Sequence, residues 1–308
     1  MKLVRTRYGE LYAFEDDLIT DFLELYGEWA QLEINFFSDT LVKSDSRVFD
    51  IGAYIGTFSM GVTQHYPTVR ILSVEMASET YELLKRNAQH LRKSIETLRA
   101  AVVERTASLS YSSVEGNKGA TQVGSPISDN EPAKNELVVD GLTLSSLASN
   151  YFNPDIIKMD IEGAELAALR GSTSWIIKHH PSFWIECNES SKSIEIYNWL
   201  AWAGYEVFYF AFPSFNEDNY KKSTKVKYQL AFEAALIATS DKRWMCNAQP
   251  KVPRGCLLYK ITNSEDLRGA LYKTPRWGKE KWLNLSQIEL LGILAHMSQG
   301  VEWEEFLC

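Results

Sequence analysis

The sequence predicts an α/β fold with a mostly parallel sheet, and three features of the chain support this prediction. Short apolar runs typical of buried strands alternate with segments whose apolar residues have helical spacing. One run, residues 48–51, leads through a turn with Gly52 and Gly56 into a segment that we expect to be helical from about Thr57. Three of the runs end in an acidic residue. Because parallel strands place their carboxyl ends along one edge of a sheet, the turn and the acids are expected to border one crevice.

The length and composition limit the classes of protein that fit. The chain has 308 residues, 45% of them hydrophobic, which suffices for one large domain with additions or two modest domains. The formal net charge is −8 and the pI is about 5.3, which argues against nucleic acid as a partner because such binding relies on a basic surface. The four cysteines form no C-x-x-C pair, so neither a zinc cluster nor a redox motif is predicted.

Neither a targeting segment nor a membrane span is predicted. The N-terminal residues reach Arg7 and Glu10 before an apolar region of signal-peptide length develops. No run approaches the roughly 20 apolar residues of a transmembrane helix. We therefore expect a cytoplasmic protein.

The predicted elements follow from apolar spacing in chain order. A small hairpin is expected near residues 8–14, before a polar break. Further strands are expected at residues 48–51, 70–74, 98–103, 106–111, 155–160, 182–186, 204–210 and 232–238. Helices are expected at residues 19–41 (as one or two), from 57, and at 78–91, 165–170, 194–203 and 286–299. Within the first helical stretch, Glu28 and Glu33 are expected to be solvated unless they lie near the cofactor.

A stretch rich in Gly, Ser, Asn, Asp and Pro, residues 114–134, interrupts this pattern. It is too long for a simple connection and is expected to be either a lid or disordered. Asn117 and Gly119 are its candidate contacts over the site.

The glycine spacing favours S-adenosylmethionine over other nucleotides. Asp50, Gly52 and Gly56 form a D-x-G-x-x-x-G pattern, whereas a dinucleotide fingerprint needs the third glycine of G-x-G-x-x-G. The chain also has no G-x-x-x-x-G-K-[ST] segment, which argues against a P-loop. The next strand ends at Glu75, where an acidic side chain can hold both hydroxyls of a ribose. We interpret the turn and Glu75 as a site for S-adenosylmethionine, although such a turn also occurs in other α/β enzymes.

Acidic residues at two further strand ends are candidates for chemistry. Asp160 and Glu162 follow one strand, and Glu186 ends the next. Acids at these positions are costly in a core, so they either cap the following helix or act in catalysis.

With these residues the chain resembles the FkbM-type family of class I S-adenosylmethionine-dependent methyltransferases. The most specific segment is I-K-x-D-x-E-G-A-E at residues 157–165. The likeness spans about residues 5–240 and includes Gly27, Glu28, Trp29, the turn at residues 50–56, Glu75, Asn87, Ala101, Val102 and residues 181–186. It implies a Rossmann-like three-layer sandwich with a seven-stranded, mostly parallel sheet whose last strand is antiparallel.

We divide the chain accordingly into three parts. Residues 1–45 are expected to form a small β and helical cover, and residues 46–245 the methyltransferase domain. Residues 246–308 are expected to form a helical C-terminal extension, ending in a helix, through which the protein would form a homo-oligomer.

The cofactor-binding residues that the resemblance implies lie mostly around the turn. They are Glu28, Asp50, Gly52, Ala53, Tyr54, Gly56, Thr57, Glu75, Met76 and Ala101. The family usually has Asn where this chain has Tyr54, and Pro where it has Met76. Contacts to the cofactor are therefore expected to differ in detail while the cofactor stays the same.

The expected reaction is methyl transfer to a hydroxyl group of a sugar, a polysaccharide precursor or a natural-product small molecule. A sugar hydroxyl is a weak acid, so a carboxylate must accept its proton during the transfer. Asp160, Glu162 and Glu186 are the candidate bases, with Asn188 positioning the acceptor. Two alternatives are N-methylation of an amine or peptide, and a non-catalytic binding or assembly module that keeps the fold.

A metal-assisted variant is a further hypothesis. Asp160, Glu186 and Asn188 are oxygen donors of the kind that magnesium takes. A bound magnesium ion would lower the pKa of the acceptor hydroxyl.

Overall fold

The computed structural model describes residues 1–91, 95–111, 123–126, 137–188, 191–228 and 231–274, with the backbone alone at 123–126. Its strands are β1 Lys2–Thr6, β2 Gly9–Ala13, β3 Arg47–Ile51, β4 Arg70–Glu75, β5 Ile95–Arg99, β6 Ala101–Val102, β7 Ala107–Tyr111, β8 Val123–Pro126, β9 Leu137–Leu142, β10 Ile156–Met159, β11 Ser182–Glu186, β12 Glu206–Pro213, β13 Phe232–Thr239 and β14 Leu257–Ile261. Its α-helices are α1 Leu18–Tyr26, α2 Gln31–Thr40, α3 Thr57–His65, α4 Ser78–His90, α5 Leu144–Asn150, α6 Glu165–Gly171, α7 Thr173–His179, α8 Ser191–Trp202, α9 Trp244–Ala248 and α10 Ser264–Tyr272. None of these described helices combines the length and apolar character needed to cross a membrane.

The main sheet has eight strands within the described residues, in the order β14-β12-β13-β11-β10-β3-β4-β5. Strands β5, β4, β3, β10 and β11 are parallel, and β13 runs antiparallel between β11 and β12. The predicted α/β architecture and its antiparallel late strand are confirmed. The predicted count of seven strands is wrong, because β14 pairs with the outer side of β12.

The additional strand comes from the C-terminal extension, which we expected to be helical and to end in a helix. Leu258 and Ile261 of β14 are buried where the strand extends the sheet, and α10 then packs against α8. Burial of these side chains favours the strand. The helix predicted at residues 286–299 lies outside the described residues.

Helices cover both faces of the main sheet and produce three layers. One face packs against α5, α6, α7, α8 and α10, and the other packs against the β1–β2 hairpin with α1, α2, α3, α4 and α9. Side-chain alternation along each strand decides the face. In β11, for example, Phe183 and Ile185 join the first layer, whereas Trp184 between them joins the second.

The described residues also form a second sheet of four strands, in the order β6-β9-β7-β8. This sheet differs from the elements predicted from the sequence. The strand predicted at residues 98–103 divides into β5 and β6, which belong to different sheets, and β9 was not predicted. The division occurs at Ala100, whose N–H donates to the carbonyl of Glu75 at 3.2 Å. Apart from β8, the predicted loop at residues 114–134 lies outside the described residues, as do Asn117 and Gly119.

A row of polar side chains crosses the main sheet beneath α2 and α3. Ser73, Asp50, Lys158 and Trp184 are register partners on β4, β3, β10 and β11. Asp50 is fully buried; it accepts a hydrogen bond from Ser59 Oγ at 2.6 Å and lies 3.7 Å from Lys158 Nζ. Burial raises the pKa of Asp50, and Lys158 and Ser59 oppose that rise. Asp50 therefore depends on these partners to remain charged.

Lys158 supplies the positive charge in this row. Its Nζ also lies 3.3 Å from Asp160 Oδ2 and 5.4 Å from the centre of the Phe58 ring. Burial opposes the charge on Lys158, but Asp160, Asp50 and Glu33 outweigh that effect and raise its pKa. Removing one member of a buried charge group leaves the others uncompensated, so the centre of the sheet depends on Lys158.

The turn after β3 lies against the turn after β10, and this approach requires Gly52. Its φ is 79°, and a Cβ atom there would lie 1.8 Å from the carbonyl oxygen of Asp160. The N–H of Asp160 in turn donates to the carbonyl of Ile51 at 3.0 Å. Any side chain at position 52 would separate the two turns.

We expect Gly52→Ala to lower the free energy of unfolding by about 2 to 4 kcal/mol, through steric overlap added to an unfavourable φ. Gly204→Ala is the matched control, because Gly204 has φ 88° and open space where its Cβ would lie. The control should lose only about 1 kcal/mol. Urea unfolding measures both, and equal losses would contradict the proposed contact between the turns.

We expect Lys158→Met to lower the free energy of unfolding by about 3 to 5 kcal/mol, because it leaves buried acids uncompensated. Lys260→Met is the control, since Lys260 pairs with Glu206 at an exposed position and such pairs contribute about 0 to 1 kcal/mol. Both variants are compared by urea unfolding at pH 7. If Lys158→Met lowers the free energy of unfolding no more than Lys260→Met does, the buried row does not depend on this charge.

Candidate active site

A cavity of about 420 Å³ lies at the carboxyl ends of β3, β4, β10 and β11, beneath α1 and α2. Small-molecule sites typically have volumes of roughly 300–1,000 Å³. Ten of the residues predicted from the sequence line it: Gly52, Ala53, Tyr54, Thr57, Glu75, Met76, Ala101, Asp160, Glu162 and Glu186. Four do not: Glu28, Asp50, Gly56 and Asn188.

Glu28 is buried outside the cavity and bonds to another part of the chain. Its carboxylate accepts hydrogen bonds from Arg7 Nε at 2.7 Å, Asn216 Nδ2 at 2.7 Å and the backbone N–H of Tyr220 at 2.9 Å. These contacts tie the loop after β12 to the N-terminal hairpin. Glu28 thus organises a loop beside the site and does not line the cavity.

The other three residues support the cavity from behind. Asp50 lies in the buried row, and Gly56 caps the N-terminus of α3 with φ 94°. Asn188 follows β11, where its carbonyl accepts a hydrogen bond from Ser193 Oγ at 2.8 Å. The structure therefore separates the residues around the turn into lining and supporting positions.

Glu75 is held in one orientation at the end of β4. Its Oε2 accepts the backbone N–H of Tyr54 at 3.0 Å, and its Oε1 accepts that of Ala77 at 2.9 Å. Burial raises the pKa of Glu75 to about 7, although these N–H donors favour its charged form. A carboxylate has about four acceptor positions, so Glu75 can still accept bonds from ligand hydroxyls.

Three non-glycine residues in the cavity wall have left-handed backbone conformations. They are Ala30, Tyr54 and Glu162, with φ of 51°, 49° and 52°. Such conformations cost about 1 to 3 kcal/mol each and concentrate at functional sites.

The acids after β10 divide into one residue that fixes the loop before α6 and two that line the cavity. Glu165 is buried, and its Oε1 accepts the backbone N–H groups of Ile161 at 3.0 Å and Gly163 at 3.2 Å. Asp160 and Glu162 line the cavity instead. Glu165 therefore fixes the loop that precedes α6, and no side chain of the described residues caps this helix.

Glu33 is a cavity residue for which the sequence left two alternatives open, a solvated position or one near the cofactor. It lies in the first turn of α2, and its Oε1 accepts a hydrogen bond from Trp184 Nε1 at 2.6 Å. Burial raises its pKa to about 7. One signal was present in the sequence: Glu33 lies three residues before Phe36, a buried residue of the same helix.

The cavity lining is strongly acidic. Its carboxylates are Glu33, Glu75, Asp160, Glu162, Glu186 and Glu233, against Lys158 as the one cationic side chain of that lining. Its aromatic residues outside the turn are Trp29, Phe58, Trp184 and Phe212. Such a lining attracts cations and hydroxyl-rich ligands and disfavours anions.

The metal hypothesis gains no support from this arrangement. Within the described part of the chain, no three His, Cys, Asp or Glu side chains are grouped so that they could hold a metal ion. Asp160 and Glu186 line the cavity, whereas Asn188 does not. We derive no step through a metal ion.

Comparison with known proteins gives a family match. A sequence model described as the methyltransferase FkbM domain matches residues 50–207, just over half of the chain. The chain is also 28% identical over 182 residues to Methyltransferase 1 of Beauveria bassiana (strain ARSEF 2860), a match that covers 50% of this chain and 73% of that protein.

Solved structures give weaker likenesses. The FkbM methyltransferase of Methylobacillus flagellatus KT matches with a TM-score of 0.46 and 20% identity, over 68% of this chain and 48% of that chain. Fibrillarin of Aeropyrum pernix, in complex with natively bound S-adenosyl-L-methionine, matches with a TM-score of 0.41 and 12% identity, over 68% of this chain and 73% of that chain. The match thus spans about half of the M. flagellatus chain.

The sequence match includes the turn, Glu75 and the acidic strand ends that the structure brings together around the cavity. The predicted family is thereby confirmed: the chain belongs to the FkbM family of methyltransferases.

Proposed function

We propose that this methyltransferase uses S-adenosylmethionine to methylate a hydroxyl group of a sugar, a polysaccharide precursor or a natural-product small molecule. One observation carries the proposal. A single cavity joins the glycine turn and Glu75 at one side to a group of carboxylates and aromatic residues at the other. The first side suits a nucleoside cofactor, and the second suits a neutral, hydroxyl-rich acceptor.

The residues at the turn fit the cofactor. Gly52 has no side chain where the two turns meet, and Glu75 presents a fixed carboxylate for the two ribose hydroxyls. Met76 and Ala101 lie beside Glu75 in the lining, where they would contact the adenine. When bound, S-adenosylmethionine supplies a methyl group that its sulfonium already makes electrophilic.

The other side of the cavity would orient the acceptor and receive its proton. Aromatic faces such as those of Trp29 and Phe212 can contact the apolar face of a sugar ring. Asp160, Glu162 and Glu186 lie in the same lining and are the bases expected from the sequence. Holding the acceptor close to the methyl group replaces a collision in water by a unimolecular step.

N-methylation is the second candidate, because an acidic lining would also attract an amine. An amine arrives protonated near neutral pH, so it too must lose a proton before attack. Tests with paired hydroxyl and amine analogues of one acceptor would separate the two reactions.

We expect the purified protein to bind S-adenosylmethionine and S-adenosylhomocysteine in calorimetric titrations. Glu75→Ala should lower the affinity for each ligand by about 100-fold or more, because it removes the charge-assisted hydrogen bonds to the ribose. Glu82→Ala, which removes an exposed glutamate of α4, is the control and should bind as the wild type does. If the folded wild type binds neither ligand, the proposed function is wrong.

The affinity for S-adenosylhomocysteine should fall as the pH drops below 7. Burial raises the pKa of Glu75 to about 7, so the carboxylate is protonated at lower pH and no longer accepts both ribose hydroxyls. Well below that pKa, the affinity should decrease toward tenfold per pH unit. Titrations from pH 5.5 to 8.5 measure this slope, and Glu75→Gln should flatten it. An equal slope in the variant would assign the proton to another group.

A further inference from the structure

We propose that Glu33 is the base that accepts the proton of the acceptor hydroxyl, and that its ionisation is coupled to binding of the positively charged cofactor. This inference rests on the proposed function and assigns one role within it. Glu33, a residue of the N-terminal cover, takes the role for which the sequence indicated Asp160, Glu162 and Glu186.

The geometry fixes one oxygen of Glu33 and leaves the other available. Trp184 Nε1 donates to Oε1 at 2.6 Å, and Oε2 makes no hydrogen bond within the described residues. Trp184 is itself fully buried and packs edge-on against Phe37 at 5.5 Å between ring centroids. The carboxylate is therefore held by a rigid donor in the cavity wall, as a positioned base must be.

Two other carboxylates of the lining are occupied in ways that make them less suitable. Asp160 lies 3.3 Å from Lys158 Nζ, so its carboxylate is already engaged in an ion pair. Both oxygens of Glu75 accept backbone N–H groups at the cofactor side. Glu33 combines a half-buried position in the cavity wall, a fixed orientation and an available oxygen.

Ionisable groups from several elements face Glu33 and set its basicity. Lys158 favours the charged form, and Asp160 and Glu233 oppose it. Tyr8 also faces it from the hairpin; burial raises the pKa of this phenol, so it stays neutral. Burial has the largest effect and raises the pKa of Glu33 to about 7, close to the value at which a base is most efficient at neutral pH.

The coupling follows from charge. A cation entering a cavity with a partly protonated carboxyl favours the carboxylate, so the carboxyl releases a proton to solvent. The sulfonium of S-adenosylmethionine carries this charge, whereas the thioether of S-adenosylhomocysteine does not. Binding of the methyl donor would thus prepare Glu33 for its role.

The acceptor oxygen forms its bond to the methyl carbon while the carbon–sulfur bond breaks and leaves its electron pair on sulfur. The hydroxyl proton passes to Oε2 of Glu33, which later returns it to solvent. The products are the methyl ether and S-adenosylhomocysteine.

The first test needs no acceptor. Titrations of S-adenosylmethionine and of S-adenosylhomocysteine at pH 7, each in phosphate and in Tris buffer, give the number of protons released with each ligand. With a pKa of about 7, Glu33 should add about 0.3 to 0.5 proton to the release with S-adenosylmethionine over that with S-adenosylhomocysteine. Glu33→Gln should lose this part, while the control Glu82→Gln keeps it. The amino groups of the ligands contribute equally in wild type and variants.

The outcomes separate the two proposals. If the wild type binds neither ligand, the proposed function fails. If the wild type binds both ligands and the difference in proton release is unchanged in Glu33→Gln, the assignment of Glu33 as the base is overturned while the proposed function stands. Loss of that difference in Glu186→Gln or Glu162→Gln would then assign the role to that residue. Circular dichroism checks the fold of each variant, and Glu33→Met, similar in length and uncharged, is used if the Gln variant does not fold.

The second test measures turnover with a panel of neutral methyl glycosides. Glu33→Gln should lower kcat by about 10²- to 10⁴-fold, with KM for the glycoside changed by less than about threefold. Its affinity for S-adenosylmethionine should fall by about three- to tenfold, because the variant lacks the charge coupled to cofactor binding, and its affinity for S-adenosylhomocysteine should not. With saturating S-adenosylmethionine, the wild-type kcat should decrease only at a pH lower than 7, because the bound sulfonium lowers the pKa of Glu33, and the variant should lack this acid limb. Full kcat in the variant would overturn the assignment, and if no glycoside is methylated the proton-release test decides alone.

Discussion

The ion pair between Asp50 and Lys158 is the interaction on which the centre of this structure depends. The two side chains are register partners on adjacent parallel strands, and both are buried beneath α2 and α3. Buried charges are tolerated only when they are paired and hydrogen-bonded. Ser59 supplies the hydrogen bond to Asp50, and Asp160 extends the pairing to the edge of the cavity. The same charges that stabilise the sheet therefore also set the potential at the site.

The N-terminal cover supplies part of the cavity wall. The sheet contributes the glycine turn and the acidic strand ends, whereas the cover contributes Trp29, Ala30 and Glu33. Trp184 links the two parts, because its ring lies in the core and its N–H bonds to Glu33. The orientation of α2 on the sheet thus decides whether the cavity has its full set of side chains.

Glutamates in this protein have different roles because their surroundings differ. Glu165 accepts backbone N–H groups and fixes a loop, and Glu28 ties distant segments together outside the cavity. Glu75 and Glu33 lie in the cavity, where burial raises the pKa of each to about 7. Residue type alone therefore does not identify the acids that take part in chemistry. Their hydrogen-bond partners and burial do.

The sequence by itself determined the α/β class, the glycine turn, Glu75 and the family. These features are local, since strand, turn and helix follow from apolar spacing and glycine positions within short segments. It did not determine the eighth strand, because Leu258 and Ile261 take that form by pairing with a strand some fifty residues earlier. It also left open whether Glu33 lies in solvent or near the cofactor, since the residue that holds it in the cavity wall, Trp184, lies 151 residues away. Only the tertiary structure decides such long-range contacts, because they depend on how the layers pack and not on the pattern within any one segment.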